Sequence, residues 1–285
     1  MRTAIIIRGQ ARTWNYLKQN TFKVFSEIYD NIDWYVVIEN NGTVSHESIR
    51  EDFKNYNLIN CNLIDRDSYP LKFRNIPQNH WYKVGFINQC YWKPAWYDYI
   101  GQLAKREYEL TNNFTYDHII SIRPDILYYL KESLKPLAKQ KTYEKFEWAY
   151  NIGSTNNRPC CGFEFMQGGS YAADIVSQRF LEFTLNHYVT NVDYEMYVQY
   201  CNKNHLYPTK AFEFIHWEGL IVRPWNIDSL PSQQEMETIG LDKLSINTNR
   251  ERLDLSNEEK YKICLDKGIS IYDYNQNQYW ALNKS

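Results

Sequence analysis

Short apolar runs alternate along this chain with longer segments in which apolar residues recur at helical spacing. Runs of the first kind are typical of buried strands, and the second spacing is typical of helices that cover a sheet. The pattern predicts strands within 3–14, at 34–40 and around 58–64, and helices at 13–29 and 45–56. This β-α-β-α-β order predicts the first half of a layered α/β sheet.

The middle of the chain continues the alternation. A long helix is predicted at 82–110, interrupted near Pro94, and a strand at 118–123 ends before Pro124, which cannot donate to a strand ladder. Later segments predict a strand at 161–169, helices at 170–188 and 192–202, and a strand at 214–225. We therefore predict one large α/β domain with a central, mostly parallel sheet flanked by helices, and a peripheral C-terminal extension at 229–285.

Composition narrows the class of protein. A chain of 285 residues with 44% hydrophobic and 16% aromatic residues can bury a substantial core. Its 32 Lys and Arg against 34 Asp and Glu give a net charge of -2, which offers no general footprint for nucleic acid. We therefore expect no nucleic-acid partner.

The six cysteines indicate a reducing compartment. They include no CxxC spacing, and the adjacent pair Cys160 and Cys161 is too cramped to chelate one zinc ion. The sequence has no apolar run as long as a signal-peptide core or a membrane-spanning helix. We expect a cytoplasmic protein, and peripheral association with a membrane surface stays open.

Charged residues follow two of the predicted strands directly. Because the carboxyl ends of parallel strands meet at one edge of a sheet, we expect these residues to share a crevice. They are Arg8, Gly9, Gln10 and Arg12 after the first strand, and Arg123 and Asp125 after the strand at 118–123. Guanidinium groups are planar donors suited to a diphosphate, and a carboxylate is suited to Mg²⁺ or Mn²⁺.

Each of these residues also has a structural interpretation. Arg123 and Asp125 are able to pair with each other or with Arg12 as a salt bridge at a strand end. Gly9 is able to serve as a turn residue, and the nearby Trp14 fits a core position as well as a platform for a nucleotide base. The sequence leaves these alternatives open.

Two motifs and the predicted helix between them carry a resemblance to a known family. RGQARTW after the first strand, a helix bearing Gln89 and Lys93, and then YDHIISIRPDILY together resemble glycosyltransferases of GT-A fold from surface-polysaccharide gene clusters. Among these, the WavE-type lipopolysaccharide enzymes share a Gly-Gln-x-Arg-Thr loop and an Arg-x-Asp element. The resemblance covers roughly the first 130 residues well and the rest weakly.

The resemblance implies a glycosyltransferase that moves a sugar from a nucleotide-sugar donor to a glycan or lipid-linked acceptor in surface-polysaccharide synthesis. Residues 1–130 are then the nucleotide-sugar-binding half of the domain, and 131–228 the acceptor-binding half. The family's Asp-x-Asp metal motif is here Arg123-Pro124-Asp125, with a cation in place of the first carboxylate. The resemblance implies a Mn²⁺ or Mg²⁺ cofactor, and this departure removes one of the two carboxylates that would bind it.

Catalytic candidates lie in the second half of the chain. We expect a carboxylate to activate the acceptor hydroxyl, and we choose Glu195 with Asp193 beside it, although Asp193 also fits a helix N-cap. Asp125 and His216 are the expected metal ligands. For His216 the structural alternative, a hydrogen-bonded residue of a half-buried strand shared with Glu218, is the more common one for such a residue.

Two other classes of protein compete with this interpretation. A carbohydrate-binding protein without turnover would use the Tyr and Trp side chains around 81–97 as a sugar-stacking wall. A sulfotransferase or other nucleotide-dependent transferase is less favoured, because the sequence has no GxxxxGK[ST] loop. The sequence makes no prediction of the oligomeric state.

Overall fold

The computed structural model describes residues 1–40, 42, 44–65, 93–150, 165–178, 217–239 and 255–269. The predicted helix at 192–202 and parts of the predicted elements at 82–110, 161–169, 170–188 and 214–225 lie outside these residues.

Strands and helices alternate along the first half of the described chain. The strands are β1 (Arg2–Gln10), β2 (Asn31–Asn40), β3 (Asn57–Asp65) and β4 (His118–Ile122). The helices between them are α1 (Trp14–Ser26), α2 (His46–Asp52) and α3 (Lys93–Thr111). Ser45 caps α2, because its side chain accepts a hydrogen bond from the Ser48 amide.

Shorter elements follow β4. They are β5 (Ile126–Tyr129), a 3₁₀ turn (Glu132–Leu134), α4 (Lys135–Gln140), β6 (Trp148–Tyr150), β7 (Phe165–Gly168) and α5 (Ser170–Ser177). The later elements are β8 (Glu218–Ile221), a 3₁₀ helix (Pro224–Ser229), α6 (Gln233–Ile239) and α7 (Asn257–Asp266).

Six strands of the described residues form the central sheet, in the order β3-β2-β1-β4-β7-β6. The pairs among β3, β2, β1 and β4 are parallel, and β7 pairs antiparallel with both β4 and β6. The predicted α/β class, with a mostly parallel central sheet flanked by helices, is confirmed.

Strand β1 is apolar because both faces of the sheet are covered. Ile5 and Ile7 point to the cluster formed with α1 and α2, and Ala4 and Ile6 point to the opposite cluster beneath α3 and α5. Gly101 lets α3 approach closely, since a Cβ atom there would lie 2.5 Å from Cγ2 of Ile6.

Aromatic side chains fill the face beneath α1 and α2. Trp14 is fully buried, stacks on Phe53 at 6.0 Å between ring centroids and meets Phe22 edge-on at 5.6 Å. Its indole Nε1 donates to Asp52 at 2.8 Å. Trp14 is therefore a core residue, which decides against its alternative role as a platform for a nucleotide base.

A second, two-stranded sheet ties the later chain to the first half. β5 and β8 pair antiparallel, with Ile126 opposite Ile221. The C-terminal helices contribute Met236 and Cys264 to a buried cluster that also contains Leu127. No helix among the described residues is long and apolar enough to cross a membrane.

Candidate functional site

The strand order reverses between β1 and β4. The chain leaves β1 toward β2 and β3 on one side and returns through α3 to β4 on the other side. At such a switch point, the loops after the two strands diverge and leave a crevice at their carboxyl ends, where α/β proteins bind ligands. The crevice here lies between the residues that follow β1 and those that follow β4.

The two sequence motifs meet at this crevice. Gly9 adopts φ +125°, and a Cβ atom built on it would lie 3.7 Å from Cδ of Pro124. Arg12 is close enough to Asp125 to lower the pKa of its carboxyl group. The structure thus brings together Gly9, Arg12, Arg123 and Asp125.

Asp125 lies at the centre of a cluster of guanidinium groups. Arg123 donates to it in a bidentate pair, from Nε to Oδ1 at 2.8 Å and from an NH2 group to Oδ2 at 2.7 Å. Nη1 of Arg223 lies 3.6 Å from Oδ2 of Asp125. Burial alone would raise the pKa of Asp125, but Arg123, Arg12 and Arg223 outweigh it and lower the pKa to about 2.

Exposure separates the carboxylate from the cations. The side chain of Asp125 is 2% exposed, whereas those of Arg123 and Arg223 are 25% and 17% exposed. The negative charge is therefore more deeply buried than the arginine side chains that surround it. We call Arg12, Arg123 and Arg223 the arginine cluster.

Sequence reasoning did not single out Arg223. The structure positions it through the small sheet, because the Val222 amide donates to the carbonyl of Asp125 at 2.8 Å directly after β8. The Arg223 amide then donates to Oδ1 of Asn226 at 2.6 Å, which fixes the start of the 3₁₀ helix. A signal was present, since Arg-Pro follows an apolar strand at 123–124 and again at 223–224.

A second polar chain extends from β1 to β2. Gln10 accepts from Nε of Arg12 at 2.6 Å, and its amide nitrogen donates to Oε2 of Glu39 at 3.3 Å. The same Glu39 oxygen accepts from the Tyr97 hydroxyl at 2.6 Å. Gln10 therefore links Arg12 to Glu39, a fully buried acid at the end of β2 that the sequence prediction also missed. Its signal was an acid closing an otherwise apolar strand.

Arg8 lies beneath the crevice. It is fully buried, its Nε donates to the Ser121 hydroxyl at 2.7 Å, and it lies 3.5 Å from Oδ1 of Asp98 on α3. Ser121 in turn donates to Asp98 at 2.8 Å. This buried network fastens α3 to β1 and β4, and a contact between Arg8 and a ligand stays a prediction.

The surroundings of Asp125 do not fit a divalent metal ion. Both carboxylate oxygens accept hydrogen bonds from Arg123, and a dication bound there would stand beside three guanidinium groups of like charge. Within the described residues, no group of three His, Cys, Asp or Glu side chains is placed to hold a metal. The predicted ligand His216 lies outside these residues.

The predicted catalytic residues Glu195 and Asp193 also lie outside the described residues, so their roles stay predictions. The backbone of Glu218 is described, as the first residue of β8.

A separate cleft of about 690 Å³ opens at the amino-terminal edge of the sheet. Its lining includes Arg2, Asp33 and Asn57 at the starts of β1, β2 and β3. Asp33 accepts hydrogen bonds from Arg2 at 2.8 Å, from Asn57 at 2.5 Å and from Tyr116 at 2.7 Å. These bonds join the strand starts, at the opposite edge from the arginine cluster.

The fold and the crevice define an α/β protein with a cationic site at the switch point of its sheet. No family model matches the sequence, and a search of curated proteins finds no match. Solved structures that are similar to this chain include three of glycosyltransferases.

One is the apo-form glycosyltransferase GlyE of Streptococcus pneumoniae TIGR4, 10% identical with a TM-score of 0.37 over 73% of this chain. The chain spans 44% of the length of that structure. Another is the galactosyltransferase LgtC in complex with donor and acceptor sugar analogs, 14% identical with a TM-score of 0.33 over 70% of each chain. An active-site mutant of LgtC is 13% identical with a TM-score of 0.34, over 70% of this chain and 69% of its own. At these identities and TM-scores the similarity assigns no function, and a function has to be inferred from the chain's own residues.

Proposed function

We propose that this protein is a glycosyltransferase that uses a nucleotide-sugar donor. The observation that carries the proposal is the arginine cluster around Asp125 at the switch point between β1 and β4. Fixed cations at the carboxyl edge of a parallel sheet suit a ligand that carries adjacent phosphates.

The chemistry explains why such a cluster serves sugar transfer. In the reaction, the bond between the anomeric carbon and the donor's phosphate oxygen breaks, and its electron pair stays on that oxygen. Guanidinium groups already in place stabilise this developing charge without reorganisation. Arg12 and Arg123 supply these donors, and Gly9 allows the diphosphate to approach the backbone.

The nucleoside is expected to extend from the cluster toward β2. Glu39 closes that strand next to β1, and Gln10 connects it to Arg12. An acid at the end of the neighbouring strand is the position from which α/β nucleotide-binding proteins contact ribose hydroxyls. We propose that Glu39 and Gln10 border the nucleoside.

The acceptor side of the proposal rests on the family resemblance. Glu195 accepts the proton of the attacking acceptor hydroxyl, whose oxygen forms the new bond to the anomeric carbon, and Asp193 is the alternative base. The acceptor is a glycan or lipid-linked sugar of surface-polysaccharide synthesis. A cytoplasmic location with peripheral membrane association is part of the same proposal.

Thermal unfolding against a nucleotide panel tests the donor site. One of UDP, GDP, dTDP or CMP should raise the melting temperature, because a ligand that binds only the folded state stabilises it. Arg123→Ala should abolish the shift, and Arg50→Ala, an exposed residue of α2, should keep it. A shift with glycans and none with any nucleotide would favour a carbohydrate-binding protein and contradict the proposal.

Turnover tests the catalytic residues. With the nucleotide identified, Glu195→Gln should lose sugar transfer and retain the nucleotide-induced thermal shift, because only the proton acceptor is removed. Asp193→Asn provides the comparison. Full activity in both variants would exclude both residues as the base.

A further inference from the structure

We infer that Arg223 binds the donor's diphosphate together with Arg12 and Arg123, and that this binding needs no divalent metal ion. The inference rests on the proposed function and deepens it. It adds a third guanidinium group to those that bind the leaving diphosphate. This group lies outside the two sequence motifs, about one hundred residues after Arg123.

The position of Arg223 is fixed by backbone contacts on both sides. Its neighbour Val222 is bonded to the Asp125 carbonyl, and its own amide is bonded to Asn226. The Thr13 hydroxyl, just after the first motif, donates to the carbonyl of Val222 at 3.3 Å. Segments after β1, β4 and β8 therefore meet at one point, and each brings one arginine.

The layering of charge favours an anion over a cation in this crevice. Asp125 is nearly closed to solvent, and its two oxygens are held by Arg123, so a cation entering from solvent meets guanidinium groups first. The side chains of Arg123 and Arg223 are partly exposed, so a diphosphate can reach them from solvent. Asp125 provides the counter-charge that keeps these like-charged groups together when no ligand is bound.

The cluster can carry out the electrostatic part of the transfer. When the bond from the anomeric carbon to the phosphate oxygen breaks, the electron pair remains on the diphosphate. Guanidinium N–H groups donate to its oxygens, and the acceptor's proton goes to the carboxylate base. No oxidant, reductant or further reactant is required.

Titration calorimetry with inorganic pyrophosphate, and then with the nucleoside diphosphate found in the panel, tests the inference. The full chain is titrated in EDTA and again with Mn²⁺ in excess. We expect binding in EDTA, and adding Mn²⁺ should not be needed to reach full affinity. Arg223→Ala should weaken binding about tenfold or more, as expected for losing hydrogen bonds to a charged group.

Two further variants sharpen the test. Arg223→Lys should bind with intermediate affinity, because lysine keeps the charge and loses the planar fork. It also serves if the alanine variant does not fold. Arg50→Ala, which removes an exposed arginine from α2, should bind like the wild type.

Three outcomes would overturn the inference. Unchanged affinity in Arg223→Ala excludes Arg223 from the site. Binding that appears only with Mn²⁺ contradicts metal-independent recognition and leaves the proposed donor site standing. The absence of pyrophosphate and nucleotide binding under both conditions, in a chain that unfolds cooperatively, ends both the inference and the proposed function.

Discussion

Replacing Asp125 with asparagine removes a buried negative charge from the centre of the arginine cluster. The side chains are nearly the same size, so the variant isolates the charge. In the wild type, the buried carboxylate accepts two hydrogen bonds from Arg123 and lies near Arg12 and Arg223. The variant loses the favourable interaction of this carboxylate with the three guanidinium groups.

The magnitude follows from the pKa of Asp125. Its value falls from 3.8 to about 2 on folding. A neutral asparagine resembles the protonated acid, and each pKa unit corresponds to about 1.4 kcal/mol, so Asp125→Asn should lower the free energy of unfolding by about 2 kcal/mol at neutral pH. Because the folded-state pKa is depressed, this contribution is complete above about pH 4 and is lost as the pH falls toward about 2.

Urea unfolding followed by circular dichroism provides the assay. The difference between wild type and variant should be constant from neutral pH to about pH 5 and should shrink as the pH falls below about 4. Asp228→Asn is the matched control, because Asp228 pairs with Lys267 at the surface with its side chain 83% exposed. A variant as stable as the wild type at neutral pH, or a difference that does not change in acid, would refute the electrostatic account of the cluster.

Three more substitutions test other parts of the structure by the same unfolding measurement. Asp98→Ala should cost about 3–5 kcal/mol because it removes a buried carboxylate that lies 3.5 Å from Nε of the buried Arg8. Adding Arg8→Met should recover most of the loss, and a mild effect of Asp98→Ala alone would contradict this pairing. Gly9→Ala should lower the free energy of unfolding by about 1–3 kcal/mol, because Gly9 has φ +125°, which residues with a side chain rarely adopt. Pro124 leaves space for the added methyl group, so the cost comes from the backbone. An unchanged stability would contradict this strain at the end of β1. Burial lowers the pKa of His118 from 6.5 to about 3. As the pH falls, His118 therefore takes up a proton in the unfolded chain before it does so in the folded protein. The free energy of unfolding of the wild type should fall by about 2 kcal/mol between about pH 7 and pH 5 for this reason, and His118→Phe should lack this contribution. An equal dependence of stability on pH in both proteins would contradict the prediction.

The elements that sequence predicted well are those whose apolar pattern is local. β1, β2 and β3 are short runs that alternate with amphipathic helices, so the sequence pattern predicts their order along the chain. A strand at 118–123 is predicted to end before Pro124, but β5 is not predicted, because it is a run of only four residues. Its partner β8 lies far along the chain, and such non-local pairing leaves no local pattern.

The candidate site divides in the same way. Arg12, Arg123 and Asp125 meet because the carboxyl ends of parallel strands lie at one edge of the sheet. This rule can be applied from the sequence without a structure. Arg223 reaches them only through the pairing of β5 with β8. Arg8 is a different case, since strand alternation places it on the face of Ala4 and Ile6, beneath α3.

A crystal structure of the protein with its nucleoside diphosphate tests the central claim most directly. The account predicts phosphate oxygens within hydrogen-bonding distance of Arg12, Arg123 and Arg223, in the crevice at the carboxyl ends of β1 and β4. A nucleotide bound instead at the amino-terminal edge of the sheet, in the cleft beside Arg2 and Asp33, would contradict it.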